Sequence, residues 1–340
     1  MKSFLICMLF LIMPLLLKGQ SFIFNQFFQP SIRINSQYNH DFGWPNKDRL
    51  NSGYLNINCI LPIKSKLKLK VDWKQILSLR FKKASRIKAY QIFWNFRPKL
   101  QYLQLQYKNS PTQHPFQQKP QISYGISTGL TGIHLMAKPL KRPRFLFYNF
   151  NLGFLEDYKS VQRGPIPEIN GLIGVATLKN LHFYWYYGLY LSYNNGLFIP
   201  APFFGIQAKI APKIWVNITI PIQLKIAWKV TNRFKLDIGL SLTNLSTPFG
   251  YQESASNTIE RYVLAGFRLK TGVNLNIKLS KQTKLYLEFG CLPYQRIQFR
   301  RNQVPFVSPL TGPSWYTGVH LFYAFKKSLL SATIDGIIMF

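Results

Sequence analysis

Acidic side chains are what this sequence has least of. Eleven Asp and Glu stand against 43 Lys and Arg in 340 residues, a formal net charge of +32. Charged residues of both signs make up only 16 %, no more than the aromatics, while 47 % of the chain is hydrophobic. A soluble fold with so much apolar material needs a more heavily charged surface; a wall wetted by lipid on one side and water on the other does not. Long apolar runs are also missing. Beyond residue 20 no segment holds the ~18 uninterrupted apolar residues of a membrane-spanning helix, so a membrane would have to be crossed by strands. Cysteine is scarce: Cys7, Cys59 and Cys291 show no metal-ligand spacing. Cys59 and Cys291 read as small apolar fillers on strand faces, with a disulfide between them as the other reading.

The one continuous apolar run stands at the start. Lys2 is followed by residues 4–17, almost wholly apolar, and then by Lys18-Gly19-Gln20. That order of basic start, short apolar run and small residue is an export signal ending after Gly19, too short to span a bilayer comfortably. The expected organisation is therefore a signal peptide over 1–19, a barrel over 20–325 and a tail or extra strand over 326–340. Gly318-Val319-His320-Leu321-Phe322-Tyr323-Ala324-Phe325 suits a closing strand better than the segment ending at Phe340.

Period-two alternation recurs along the whole chain. Phe183, Trp185, Tyr187, Leu189 and Leu191 alternate with Tyr184, Tyr186, Gly188, Tyr190 and Ser192; Leu224, Ile226 and Trp228 alternate with Lys225, Ala227 and Lys229. From 263 to 279 the odd positions are apolar except Thr271. A soluble sandwich alternates too, but its connections keep no order. Here short turns, read at Lys64 and Ser65, Arg97 and Pro98, Lys179 and Asn180, Ala211 and Pro212, Thr231 and Asn232, and 280–283, separate longer polar loops at 40–52, 77–85, 109–119, 155–169, 194–201, 244–260 and 295–313. This wiring predicts an all-β, antiparallel up-and-down transmembrane β-barrel of 12–16 strands, even in number, in the outer membrane of a Gram-negative bacterium. Trp44, Trp73, Trp94, Trp215, Trp228 and Trp315 are expected in interfacial girdles near strand ends.

Phe204-Gly205-Ile206-Gln207, Lys213-Ile214-Trp215-Val216-Asn217, Ile220-Pro221 with the alternation after it, and the 273–290 hairpin around Ser280-Lys281-Gln282-Thr283 resemble an uncharacterised family of exported Gram-negative outer-membrane β-barrel proteins. The likeness is good over 200–325 and one of pattern before that. It implies a location and a fold but no chemistry. The tail after Phe325 and the strong basic bias depart from it.

Pointing the apolar positions at lipid turns a set of bases inward. Lys68, Lys70, Lys209, Lys225, Lys229, Lys235, Arg268, Lys270 and Lys278 are the expected anion-facing residues of the lumen, opposed by Asp72, Asp237 and Glu288. Rings of Lys and Arg concentrate anions and repel cations, which suggests a passive channel or transporter for small anionic solutes. The alternative is a closed structural or docking barrel that acts through its external loops; an outer-membrane lipid-modifying enzyme comes third. Bases near the short turns, Arg97 and Lys99 among them, are expected to meet phospholipid phosphates or water. No catalytic residues, cofactor or metal are implied: His40, His114, His134, His182 and His320 have no Ser or Asp at an interpretable spacing, and His134, His182 and His320 project inward in this register. The expected partners are outer-membrane lipids, including lipopolysaccharide, and the barrel-assembly machinery during insertion. Nucleic acid is excluded, because the chain is exported and its bases are spread over strands rather than gathered in a patch.

Overall fold

The computed structural model describes residues 30–41, 49–71, 85–106, 121–137, 144–157, 166–180, 182–194, 197–252, 259–301, 304–307 and 312–325. Their strands are β1 (Ser31–Asp41), β2 (Arg49–Val71), β3 (Ser85–Gln106), β4 (Gln121–Ala137), β5 (Arg144–Asp157), β6 (Ile166–Asn180), β7 (Phe183–Asn194) and β8 (Leu197–Ala211). They continue as β9 (Ile214–Ile220), β10 (Gln223–Lys229), β11 (Phe234–Gln252), β12 (Ile259–Lys278), β13 (Thr283–Arg301), β14 (Val304–Val307) and β15 (Ser314–Ala324).

Each strand from β1 to β13 pairs antiparallel with the next, β13 pairs with β15, and β15 returns to β1, with Ser31 opposite Ala324. The short β14 pairs with β13 alone, so of fifteen strands fourteen form a closed ring. The sheet is thus an up-and-down barrel, within the expected strand range and even in number. The predicted signal peptide over 1–19 and the tail over 326–340 fall outside the described residues.

Alternation decides which face is which. On β7 the even positions Tyr184, Tyr186 and Ser192 are buried inside, while Tyr187 and Leu189 are exposed outside. On β10 and β11, Ile226 opposite Ile238 faces out and Ala227 opposite Asp237 faces in. Each of the fourteen wall strands carries an exposed apolar side chain on its outer face, among them Ile34, Leu100, Ile173, Ile218, Val273 and Val319. A continuous belt of that kind is unsuited to water and suited to hydrocarbon. On β11 the belt runs from Phe234 to Leu242, a height of about 20–25 Å for a strand tilted as in such barrels.

The chain ends of the ring lie on the side of the tight connections 212–213, 230–233 and 279–282; the wider connections 42–48, 107–120, 158–165 and 302–313 lie opposite. Several expectations need correction. Lys64 and Ser65 lie inside β2, and Arg97 and Pro98 inside β3, so neither pair is a turn. The link between β2 and β3 is 72–84, which puts the expected external loop 77–85 at the end of the tight turns. Pro221 and Ile222 form the tip of a hairpin at the opposite end, joining two seven-residue strands. Trp215 faces the lumen beneath the Lys209 ammonium, 5.7 Å from its ring, because its row is shared with Lys209. Trp94 is mid-strand, where its Nε1 donates to Thr128 Oγ1 at 2.6 Å. Trp228 and Trp315 are exposed near strand ends, as girdles require; Trp44 and Trp73 lie outside the described residues. Cys59 and Cys291 are free thiols.

Candidate functional site

The interior of the ring is filled unevenly. Across β2 to β8, towards the chain ends, Phe93, Ile133, Phe145, Phe147, Tyr186 and Phe203 form one buried apolar cluster. Towards the loops, the inward leucines Leu50, Leu103, Leu155, Leu264 and Leu292 are each at most 4 % exposed. Val263, beside Leu264, is also buried, so β12 is covered on both faces there, and β11 reaches across to touch β4 and β5. Leucine therefore lines the mouth, and what charge the lumen holds sits between apolar layers.

That charge is organised around two carboxylates. Asp237, 2 % exposed, lies between Lys225 Nζ at 2.9 Å and Lys235 Nζ at 3.1 Å. Strand geometry dictates the arrangement: Lys235 is two residues away on the same face of β11, and Lys225 comes from the paired β10. Glu288 on β13 holds Lys270 Nζ at 2.8 Å and His320 Nε2 at 3.2 Å. Lys270 then reaches over β15 to Gln37 Oε1 at 2.7 Å on β1. It can do so because Gly318, paired with both Glu288 and Gln37, offers no side chain in between. The ammonium lies 4.3 Å from the centre of the Tyr316 ring. Tyr316 itself lies flat over Gly272 and Gly290: a Cβ on either would come within 2.6 Å of its hydroxyl.

Two cavities open around this scaffold. The larger, about 310 Å³, is lined by Arg268, Lys270 and Lys99 with Gln37, Asn39, Ser52 and other polar side chains, and Leu292 closes it on one side. None of its described lining residues is Asp or Glu. Arg268, 5 % exposed, donates from Nη1 to Ser52 Oγ at 3.1 Å, but its Nε and Nη2 have no hydrogen-bond partner among the described residues. A buried guanidinium with spare donors is costly unless an acceptor meets it. The smaller cavity, about 180 Å³, is lined by Arg33, Lys225 and His320 with Asn35, Asn274 and Tyr286. Arg33 stacks over Phe322 at 5.2 Å, and its Nε and Nη2 also lack a partner among the described residues. Glu288 ties Lys270, on the first cavity, to His320, on the second.

The nine expected bases are placed as follows. Lys225, Lys235, Arg268 and Lys270 converge on the interior, two of them on the larger cavity's wall or beside it and two on Asp237. Lys209 is occupied by Trp215, Lys229 lies at the end of β10 by a tight turn, and Lys278 is exposed at the end of β12. The backbones of Lys68 and Lys70 pair with Lys88 and Arg86, but their side chains lie outside the described ones. Arg33 was missed, although the alternation of Ile32 and Ile34 with Arg33, Asn35 and Gln37 carried the signal. Lys99 was assigned to the rim because Pro98 was read as a turn; it lines the larger cavity. Of the histidines, His320 faces in, His182 sits in an exposed turn, and His134 stacks on Tyr90 at 5.6 Å on the outer face.

Residues 69–321 match the family described as a domain of unknown function, DUF6268. The chain belongs to this family. DUF6268 carries no assigned activity, so the lumen chemistry has to be read from its side chains. A comparison with curated proteins finds no match. Among solved structures, the transport unit of the autotransporter AIDA-I from Escherichia coli is similar at 9 % identity and a TM-score of 0.34, covering 87 % of this chain and 90 % of its own. The siderophore receptor PirA from Acinetobacter baumannii is similar at 7 % identity and a TM-score of 0.25, with 88 % and 81 % covered. At those scores neither bears on the strand number or the function of this DUF6268 chain.

Proposed function

We propose that the protein is an outer-membrane barrel of a Gram-negative bacterium that takes small anionic solutes into a basic compartment of its lumen. The observation that carries this is the 310 Å³ cavity walled by Arg268, Lys270 and Lys99, with no carboxylate among its described lining and two spare donors on Arg268. Cationic walls of low polarisability raise the local concentration of anions and exclude cations. The smaller cavity continues the path towards the chain ends, with Glu288 as the negative charge between the two. The membrane location rests on the apolar belt and on exposed Lys179, Lys213, Arg233 and Lys281 at the tight-turn end, where phospholipid phosphates would meet them. In this reading the signal peptide is removed on export, lipids including lipopolysaccharide surround the belt, and the assembly machinery inserts it. Its charged lumen residues bind and conduct; they catalyse nothing.

The leucine layer and the Phe93 cluster favour a second reading, a closed barrel that works through its loops. Planar-bilayer recordings in asymmetric salt separate the two. The first reading expects an anion-selective reversal potential that moves towards zero in Arg268→Met. A silent membrane, or cation selectivity, overturns it.

A further inference from the structure

Among the described residues the strand pairing of the barrel wall is incomplete on one side. Residues 204–211 of β8 pair with β9, but 197–203 pair with β7 alone. Residues 243–252 of β11 likewise pair with β12 alone, since β10 ends its pairing at Ser241 and the last bond to the hairpin is Leu242 N–H to the Ile222 carbonyl at 2.9 Å. Among the described residues no pairing joins β8 to β11. Where the β9–β10 hairpin stops, β8 and β11 part company, leaving some 23 Å of β8 edge without a strand partner among the described residues.

The composition of the hairpin tip tells which medium it meets. The tight turns at the other end carry Lys213, or Thr231, Asn232 and Arg233, as water and phosphate require. This tip reads Ile220-Pro221-Ile222: Ile220 is 62 % exposed on the outer face, and Ile222 packs on the lumen's apolar cluster. A tip of that kind sits in hydrocarbon, so the open wall begins within the lipid layer. Above it β8 presents outward Phe198, Pro200, Pro202 and Phe204. Unpaired strand edges are not left bare against lipid; they line a passage or are covered. On the inner side of the gap Thr243, one residue beyond the hairpin bond, is already on the wall of the basic cavity with Arg268.

The geometry points to a lateral passage between β8 and β11, above the β9–β10 hairpin, that admits an anionic amphiphile from the membrane: its headgroup meets Arg268, Lys270 and Lys99 while its acyl chain stays in the gap. This deepens the reading of the lumen as an anion compartment and rests on it, naming the ligand class and the way in. The leucine layer narrows the axial mouth to small solutes, so a ligand with a chain enters from the side, and a carboxylate or phosphate supplies the acceptor that Arg268 lacks.

The probe is palmitate carrying a terminal diazirine, added to the full protein in nanodiscs of neutral lipid and photolysed, with the labelled residues mapped by mass spectrometry. Labelling is expected to concentrate at 197–204 and 242–252. It should fall roughly tenfold in Arg268→Met, as the loss of a charge-assisted hydrogen bond implies. The probe's methyl ester should lose the enrichment. A second variant lengthens the hairpin by inserting alternating Thr and Val on both sides of Pro221; it fills the gap without touching the cavity and should abolish the focus. Labels spread evenly around the belt, or equal labelling by the ester, overturn the passage. Inorganic phosphate distinguishes the two levels. If it raises the unfolding temperature of the wild type but not of Arg268→Met while labelling is even, the lateral passage fails and the anion compartment stands. If labelling is even and phosphate has no such effect, both fall.

Discussion

Replacing Asp237 by Asn removes one carboxylate from between two ammonium groups and keeps its size. In the wild type the carboxylate oxygens lie 2.9 and 3.1 Å from Lys225 and Lys235, and Asp237 itself is 2 % exposed. Breaking a buried ion pair typically costs about 3–5 kcal/mol, because the partner is left charged and dry. The two lysines keep 16 % and 18 % exposure, so the lower end applies, about 3 kcal/mol, and the newly unscreened repulsion between them argues against less. At about 2 °C per kcal/mol for a chain of this size, the unfolding midpoint of Asp237→Asn should fall by about 6 °C. Loss of β-sheet circular dichroism on heating in detergent micelles reads this out. The double variant Asp237→Asn with Lys235→Gln should recover part of the loss, since it removes one of the stranded charges. An unchanged midpoint in the single variant, or a double variant worse than the single, would refute the account of the lumen as a balanced ionic interior.

Gly290→Val should destabilise by about 1–3 kcal/mol in urea unfolding, because its Cβ would come within 2.1 Å of the Thr271 carbonyl and 2.6 Å of the Tyr316 hydroxyl; a neutral result would mean that Tyr316 does not lie there. Cys59 and Cys291 alternate with inward residues and so face lipid; in proteoliposomes a membrane-permeant maleimide should modify both, and a charged thiol reagent neither. Glu288→Gln removes a negative charge from between the two cavities, and the reversal potential in asymmetric salt should shift further towards the anion limit.

Faces were legible in the sequence and neighbours were not. The alternation on β7, β10 and β11 told lumen from lipid residue by residue, because side chains in a strand point to opposite sides in turn. It failed where the alternation is broken or punctuated. The register slips between Pro62 and Lys64 inside β2, and Pro98 was taken for a turn, yet β3 runs straight through it opposite Ile126. That single misreading sent Lys99 to the rim and hid one of the three bases of the larger cavity. Partners across the lumen, such as Lys270 with Gln37 or Arg268 with Ser52, are separated by more than two hundred positions in the chain and by other strands in the ring. Nothing in the spacing of residues encodes such a contact; it follows from the register and from the width that glycines at 290 and 318 leave open.

The pairing of Ser31 with Ala324 has a consequence for biosynthesis. The first described strand to be synthesised meets its second neighbour only when the last one has been made, so until then both margins of the growing sheet are bare templates for foreign chains. A truncation before Ser314 would make that interval permanent, and the product should accumulate as aggregate rather than as a smaller barrel.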